Sequence, residues 1–268
     1  HSRNAEAGFP PLLGWAQRAF YRWMKRLLLS HMTHGLAVSE SAGGALFGRA
    51  WRNDPRCRLL PSAIDLTPFR EPVDSTELRH SIDLPGNAFV VGHIGRFVKQ
   101  KNHAFLLDVF HAIRNESPRA YLVLVGEGPL REQVERSVDR MGLREYVRFL
   151  GRREDVPGLM GGLFDVVLLP SLWEGLPRTA NEAQAAGLPI VLSSHLSPDI
   201  EVVEALVHRV SLEAGPAPWA AAALQAMCHP RPVSRDEAWR QMAASPINMD
   251  RNVEALIDLY ESAVPSDA

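Results

Sequence analysis

The chain lacks most of the features that mark common functional classes. It has only two cysteines, Cys57 and Cys228, far apart in sequence. They cannot build a disulfide framework or a metal cluster, and they fit a reducing compartment, with the cytoplasm as the default. No apolar run approaches the roughly 20 residues that span a bilayer, and no secretory signal pattern opens the chain. Neither charge sign is in excess, with 29 Lys+Arg against 31 Asp+Glu. A general affinity for nucleic acid therefore has no electrostatic basis, and any anion site must be local. There is no Asp-x-Asp pair, and none of the ten histidines falls in a His-Glu-x-x-His pattern, so the residues point to no bound metal. Internal repeats and low-complexity tracts are also missing.

What is present is a long series of alternating strand and helix patterns. At 268 residues and 46% hydrophobic composition the chain can bury a large core. From Ala88 onward "AFVVGHI", "RAYLVLVG", "YVRFLG", "FDVVLLP", "LPIVLSS" and "HRVSL" read as short buried strands. The helical patterns "HAFLLDVFHAIRN", "PLREQVERSVDRMG", "DVPGLMGGL", "PRTANEAQAAG" and "APWAAAALQAMCH" lie between or after them. This alternation predicts an α/β, Rossmann-like, doubly wound parallel sheet. The final "NMDRNVEALIDLYESAV" has helical spacing. Pro177 is expected at the first position of its helix and Gly187 at that helix's end.

Residues 1–60 read differently. "LLGWAQRAFYRWMKRLLLSH" is a helix with Arg18, Arg22, Lys25 and Arg26 among Trp15, Phe20, Tyr21 and Trp23. "THGLAVSESAGGALFG" then gives a short strand, a cap at Ser39 and a helix. These are expected to be the closing units of a separate α/β domain, followed by the proline- and aspartate-rich linker "LLPSAIDLTPFREPVD". The division expected is a remnant over 1–60, a ligand-binding domain over 61–248, and a helix and tail over 249–268. A chain that begins at His1 rather than Met is expected to lack residues upstream. The basic aromatic helix suits either the missing domain's sheet or a membrane surface.

Three loops leave the carboxyl ends of predicted strands, where open α/β sheets bind ligands. "GRFVKQK" places Arg96 and Lys101 there, a planar fork and a compact charge suited to a diphosphate, although an isolated pair of this kind is more often solvated surface charge. "VGEGPL" offers glycines for close backbone approach, a weak signal alone. "EGLPRTANE" carries two acids, Glu174 and Glu182, with seven residues between them. Glu174 is a poor helix cap, while Glu182 in the second turn leans back toward the amino end. Carboxylates accept hydrogen bonds from ribose and hexose hydroxyls. Two acids, two cations and a helix start together describe a site for a nucleoside diphosphate joined to a sugar.

"GRFVKQKNHAFLLDVF", "LVLVGEGPLREQVE", "VRFLGRREDV" and "LPSLWEGLPRTANEAQAAGLPIV", in that order, resemble the donor-binding half of the group 1 family of retaining glycosyltransferases with the GT-B fold. Two glutamates separated by seven residues are that family's signature. "GLAVSES" and "LLPSAIDLTPF" are similar to its crossing segment between domains. The resemblance implies transfer of a hexose from a UDP- or GDP-sugar to a saccharide or lipid-linked acceptor, without metal or other cofactor. It implies a cytoplasmic location, on the inner face of a membrane where the acceptor is lipid-linked. By the same resemblance Arg96 and Lys101 hold the diphosphate and Glu174 the donor sugar. Gly95, Gly126, Arg152, Gly175, Leu176, Arg178, Thr179 and Glu182 complete the donor contacts, with Glu182 on the ribose. Proline at 177, where many relatives have glycine, removes one amide from the set. His1 is similar to a motif near the end of the family's acceptor domain. A nucleotide-binding module without catalysis is the other reading. A dehydrogenase would need G-x-G-x-x-G after the first strand, and "GHIGRF" has the wrong spacing; an epimerase would need catalytic acids that are not found.

Overall fold

The computed structural model describes residues 15–71, 73–229 and 231–263. His1 and the residues 12–14 that open the helix expected from Leu12 lie outside the described residues. The first elements are α1 (Trp15–His31), β1 (Gly35–Ala37), α2 (Glu40–Phe47) and β2 (Cys57–Leu59). β1 and β2 form a small parallel pair with Gly35 opposite Cys57. Ser39 caps α2 as the sequence predicts, its Oγ accepting the Ala42 N–H at 3.1 Å. Trp51 seals this unit against Gly43, where a Cβ would lie 2.4 Å from the indole.

The main body holds α3 (Ser75–Ser81), β3 (Phe89–Ile94), α4 (His103–Glu116), β4 (Ala120–Val125), α5 (Arg131–Arg140) and β5 (Val147–Gly151). It continues through α6 (Val156–Gly158), β6 (Val166–Leu169), α7 (Arg178–Ala185), β7 (Ile190–Ser193) and β8 (Val207–Val210) to α8 (Pro216–Cys228), α9 (Arg235–Ala244) and α10 (Met249–Ala263). β3 to β8 form one parallel sheet in the order β5-β4-β3-β6-β7-β8. The winding starts at β3, runs outward to β5, then returns to the middle at β6 and runs the other way. This is the doubly wound topology expected from the alternation.

The period of two in each strand divides the core. Val90, Val123, Val167, Leu169, Ile190 and Leu192 face one side, with Ala180 and Ala183 of α7 and Met242 of α9. Val91, Leu122, Leu124, Val166, Leu168 and Val191 face the other, with Leu106 and Phe110 of α4, Val138 of α5 and Trp219 of α8. Strands covered on both faces explain their near-continuous apolar runs. The last helix turns back to the segment before the sheet: Met249 N–H donates to Ile64 O at 3.1 Å, and Asn252 Nδ2 to Pro61 O at 2.8 Å.

Several local readings shift. α7 begins at Arg178 with Pro177 as its N-cap, because Pro177 keeps an extended ψ of 112°. Gly187 ends the helix with φ +65°, as Gly after a helix should. The helix expected over "DVPGLMGGL" is α-helical only to Gly158 and then widens into a π-turn, Leu159–Leu163. There a Cβ on Gly162 would lie 2.7 Å from Val73 Cγ1. β2, α3 and α9 have no counterpart in the sequence reading; the first two are short, and α9 has weak apolar periodicity.

Gly92, at the centre of β3, lies under the Phe164 ring, and a Cβ there would come within 2.3 Å of it. Gly92→Ala is expected to cost about 1–3 kcal/mol. Each kcal/mol should lower the melting temperature by roughly 2–4 °C, measured by circular dichroism. An unchanged melting temperature would show that Phe164 can yield.

Candidate active site

The carboxyl ends of β3 and β6 lie side by side where the winding reverses, and loops from both ends meet above that crevice. The loop after β3 passes through a 3-10 turn, Lys99–Lys101, and Asn102 takes a left-handed φ of 54° before α4 starts. This turn aims Lys101 across the crevice. Its Nζ donates to Glu174 Oε1 at 2.6 Å. Gln100 Nε2 donates to Glu174 Oε2 at 3.0 Å and to the Trp173 carbonyl at 2.7 Å, while Leu172 N–H donates to Gln100 O at 2.8 Å. Ser193 Oγ donates to Ser171 O, and His195 Nε2 to Leu172 O at 2.7 Å. The loop bearing Glu174 is thus held from both sides.

The Lys101 and Glu174 side chains keep only 14% and 9% of their exposure. A pair so buried adds little net stability, yet removing one member leaves an uncompensated charge. Its main effect is orientation, because both carboxylate oxygens and the ammonium are fixed.

α7 is stitched to the same place, its Thr179 Oγ1 donating to Ile94 O at the end of β3, 3.2 Å away. Glu182 is 18% exposed, with Arg178 Nε 3.9 Å off. Burial raises its pKa and the Arg178 charge only partly opposes that. Arg96 is exposed and its guanidinium bonds to no described residue. Gly126 and Gly128 do allow close approach, but to the neighbouring loop. A Cβ on Gly126, at φ +137°, would lie 2.1 Å from Gly95 O, and one on Gly128 would lie 2.5 Å from Phe97 O. Gly126 N–H donates to Gly151 O at 2.7 Å, which brings that loop beside Arg152. The Arg152 side chain itself points out, 83% exposed. Gly175 and Leu176 lie between Glu174 and the Pro177 cap. Among the described residues no three His, Cys, Asp or Glu side chains are grouped to hold a metal.

Next to the ion pair is a cleft of about 420 Å³ lined by Trp173, Glu174, His195, Ser197 and, from α2, Glu40 and Ser41. The Glu40 N–H donates to Asp199 Oδ2 at 2.7 Å and ties α2 to the rim. Trp173 is 39% exposed there. Beneath the crevice are two buried imidazoles, His93 on β3 and His103 opening α4, edge to face with centroids 4.8 Å apart. Burial lowers both pKa values: His93 well below the usual histidine range, and His103 to about 4, with Lys101 adding to the effect in each. Gln100, His93, His103, Trp173 and His195 were not singled out from sequence. Gln100 sits within a quoted motif, but nothing local distinguishes it from a surface residue.

The doubly wound parallel sheet is of the GT-B type, and the comparisons show the family. The family Glycosyl transferases group 1 matches residues 74–243. EpsF of Bacillus subtilis (strain 168), whose name places it among glycosyltransferases, is 33% identical over 268 residues, covering 100% of this chain and 68% of that protein. The UDP-Gal:alpha-D-GlcNAc-diphosphoundecaprenol alpha-1,3-galactosyltransferase of Escherichia coli is 28% identical over 178 residues, 65% of this chain and 46% of that protein. Among solved structures, Anabaena Alr3699/HepE in complex with UDP superposes with a TM-score of 0.81 at 21% identity, covering 98% of this chain and 71% of that one. The chain belongs to the group 1 glycosyltransferases. No helix of the described residues is long and apolar enough to cross a membrane.

Two measurements test the electrostatics. A raised Glu182 pKa means that the folded state binds the proton more readily, so stability falls as pH rises from 4.5, the unfolded value, through the raised folded one. Glu182→Gln should flatten that fall and raise the melting temperature at pH 7 by roughly 1–3 °C; a lower melting temperature would contradict the burial cost. The depressed His103 has the opposite sign: stability should be lost as pH drops from 6.5 toward about 4. That loss should reach about 3 kcal/mol at pH 4 and shrink in His103→Phe. Urea titrations at several pH values read it directly, and equal slopes in both proteins would refute it.

Proposed function

We propose that this chain is the donor-binding part of a retaining hexosyltransferase. The enzyme moves a hexose from a nucleoside-diphosphate sugar to a saccharide or lipid-linked acceptor of surface polysaccharide synthesis, without a divalent metal. The observation that carries this reading is the Lys101–Glu174 contact at 2.6 Å across the crevice. It sets a cation for phosphate directly beside a carboxylate for sugar hydroxyls. Thr179, tied to β3, holds the amino end of α7 over the same point, and the exposed Arg96 guanidinium bonds to no described residue.

In this reaction the bond from the anomeric carbon to the phosphate oxygen breaks. Negative charge builds on the departing diphosphate and positive character on the sugar. Lys101, Arg96 and the free amides at residues 178–179 would face that negative charge, and pre-aimed donors of this kind are worth about 3 kcal/mol each. Glu174 would orient the sugar through its hydroxyls and Glu182 would accept from the ribose. In the complex the Glu174 oxygens would stay hydrogen-bonded, with sugar hydroxyls in place of Lys101, so Glu174 would be a poor nucleophile. This favours attack by the acceptor from the face that the leaving group departs, which retains configuration. The cleft containing Trp173 has room for a sugar next to Glu174.

The UDP in the HepE structure and the diphosphoundecaprenol acceptor in the E. coli relative's name favour a UDP-sugar and a lipid-linked acceptor. Exposed Phe20, Trp23 and Leu28, with exposed Arg22 and Arg26 on the same helix, suit peripheral contact with the cytoplasmic face of a membrane. The second reading, a nucleotide-binding module without catalysis, draws on coverage: the chain spans 68% of the EpsF length.

Calorimetry with UDP, GDP and ADP tests the donor site, and transfer from the matching sugar nucleotides tests catalysis. One diphosphate should bind, and Glu174→Gln, which keeps an acceptor for Lys101, should hold its affinity within about threefold while lowering transfer about 10²-fold or more. Binding without transfer in the longest natural form would favour the module. No binding of any of the three at millimolar concentration would remove the proposal.

A further inference from the structure

The proposed reaction makes no use of His93, although it lies directly beneath the reacting groups. Its Nδ1 is 2.8 Å from the Leu168 carbonyl oxygen. A carbonyl only accepts, so Nδ1 carries the proton and Nε2 presents a lone pair. That lone pair is fully buried and has no partner among the described residues. A buried acceptor left unsatisfied is costly and calls for a reason.

The place it faces gives one. A Cβ built on Gly95 would lie 3.2 Å from His93 Nε2 and also 3.1 Å from Cε and 3.2 Å from Cδ of Lys101. Gly95 therefore leaves a gap with the imidazole lone pair on one side and the distal stem of Lys101 on the other. The ammonium is one bond further, bent toward Glu174. The ring cannot turn away easily: His103 meets it edge-on at 79° and is itself stacked on Phe97 at 4.3 Å.

Donor binding, on the reading above, asks the Lys101 ammonium to turn from Glu174 to the diphosphate. Lys101 would then keep a flexible four-carbon stem with no anchor. We propose that His93 Nε2 becomes the acceptor that steadies the Lys101 ammonium against the diphosphate once the lysine has turned from Glu174. His93 is thus a positioning residue, and Gly95 favours the contact because a Cβ there would crowd the space between the two groups. A neutral acceptor suits the task better than a carboxylate. It holds one of three N–H bonds without cancelling the charge that the phosphates need, and burial beside His103 and Lys101 keeps the ring neutral.

The inference depends on the donor reading, and one set of titrations separates the two. Wild type, His93→Leu, His93→Gln and Gly95→Ala are titrated with UDP and with inorganic pyrophosphate, and each variant's melting temperature is recorded. His93→Leu should weaken both probes by about tenfold, with a melting temperature within about 3 °C of wild type. Gln carries an acceptor near the place of Nε2 and should recover most of that affinity, and Gly95→Ala should weaken binding as Leu does. Should His93→Leu fail to fold, the contrast between His93→Gln and Gly95→Ala still decides. Wild-type affinity in His93→Leu or Gly95→Ala, or a loss shared equally by His93→Gln, overturns the positioning role while leaving the donor site intact. A wild type that binds neither UDP nor pyrophosphate overturns the donor reading for UDP and this inference with it.

Discussion

The buried ion pair between Lys101 and Glu174 is the contact on which the rest of the crevice depends. Two opposite charges cannot be taken out of water unless each finds its partner and its remaining hydrogen bonds. Here that condition dictates the form of both loops. Gln100 must turn inward to satisfy the second carboxylate oxygen, and the backbone from Ser171 to Trp173 must lie where Gln100, Ser193 and His195 can reach it. The pair therefore joins two loops that belong to opposite halves of the doubly wound sheet. Neither half could position its charge without the other.

The glycines serve the same constraint from below. The loops after β3 and β4 run against each other with backbone touching backbone, which only a residue without Cβ permits at Gly126 and Gly128. Phe97 N–H donates to Glu127 O, and Leu130 N–H to Phe97 O. The β3 loop is thereby fixed at its base while its cations project above. Flexibility is removed from the backbone, Lys101 is held by Glu174, and the exposed Arg96 side chain keeps its freedom.

The parts of this arrangement legible in the sequence are those written in local pattern. Six strands, the Ser39 cap and the end of α7 at Gly187 follow from period-two apolar runs, a capping serine and a glycine after a helix. The two glutamates and two cations were legible because their spacing and their strand-following position coincide with a family signature. Gln100 was not, because its role exists only once β3 and β6 are neighbours, and nothing in "VKQK" encodes that adjacency. His93 and His103 were missed for a similar reason: a histidine in an apolar strand reads as a core residue until the sheet order places it beneath a lysine. α9 escaped because its packing is carried by Ala238 and Met242 among polar neighbours. The π-turn after α6 depends on what Gly161 and Gly162 press against, which is tertiary information.

The two glutamates of the signature sit in unlike surroundings, and that difference bears on what each can do. Glu174 is compensated by an ammonium and an amide, so its carboxylate is held as an oriented acceptor. Glu182 is nearly as enclosed but has only a distant, mostly exposed Arg178 to offset its burial. An under-compensated carboxylate has more to gain from hydroxyl donors than a compensated one, because each new hydrogen bond replaces lost hydration. In the proposed complex, Glu182 therefore supplies the greater affinity for the ribose. Glu174 gives up existing partners to meet the sugar and contributes less to binding than to geometry. Such an exchange is tolerable only if the released lysine is taken up at once by other groups, and in the proposed complex the diphosphate and the lone pair of His93 receive it.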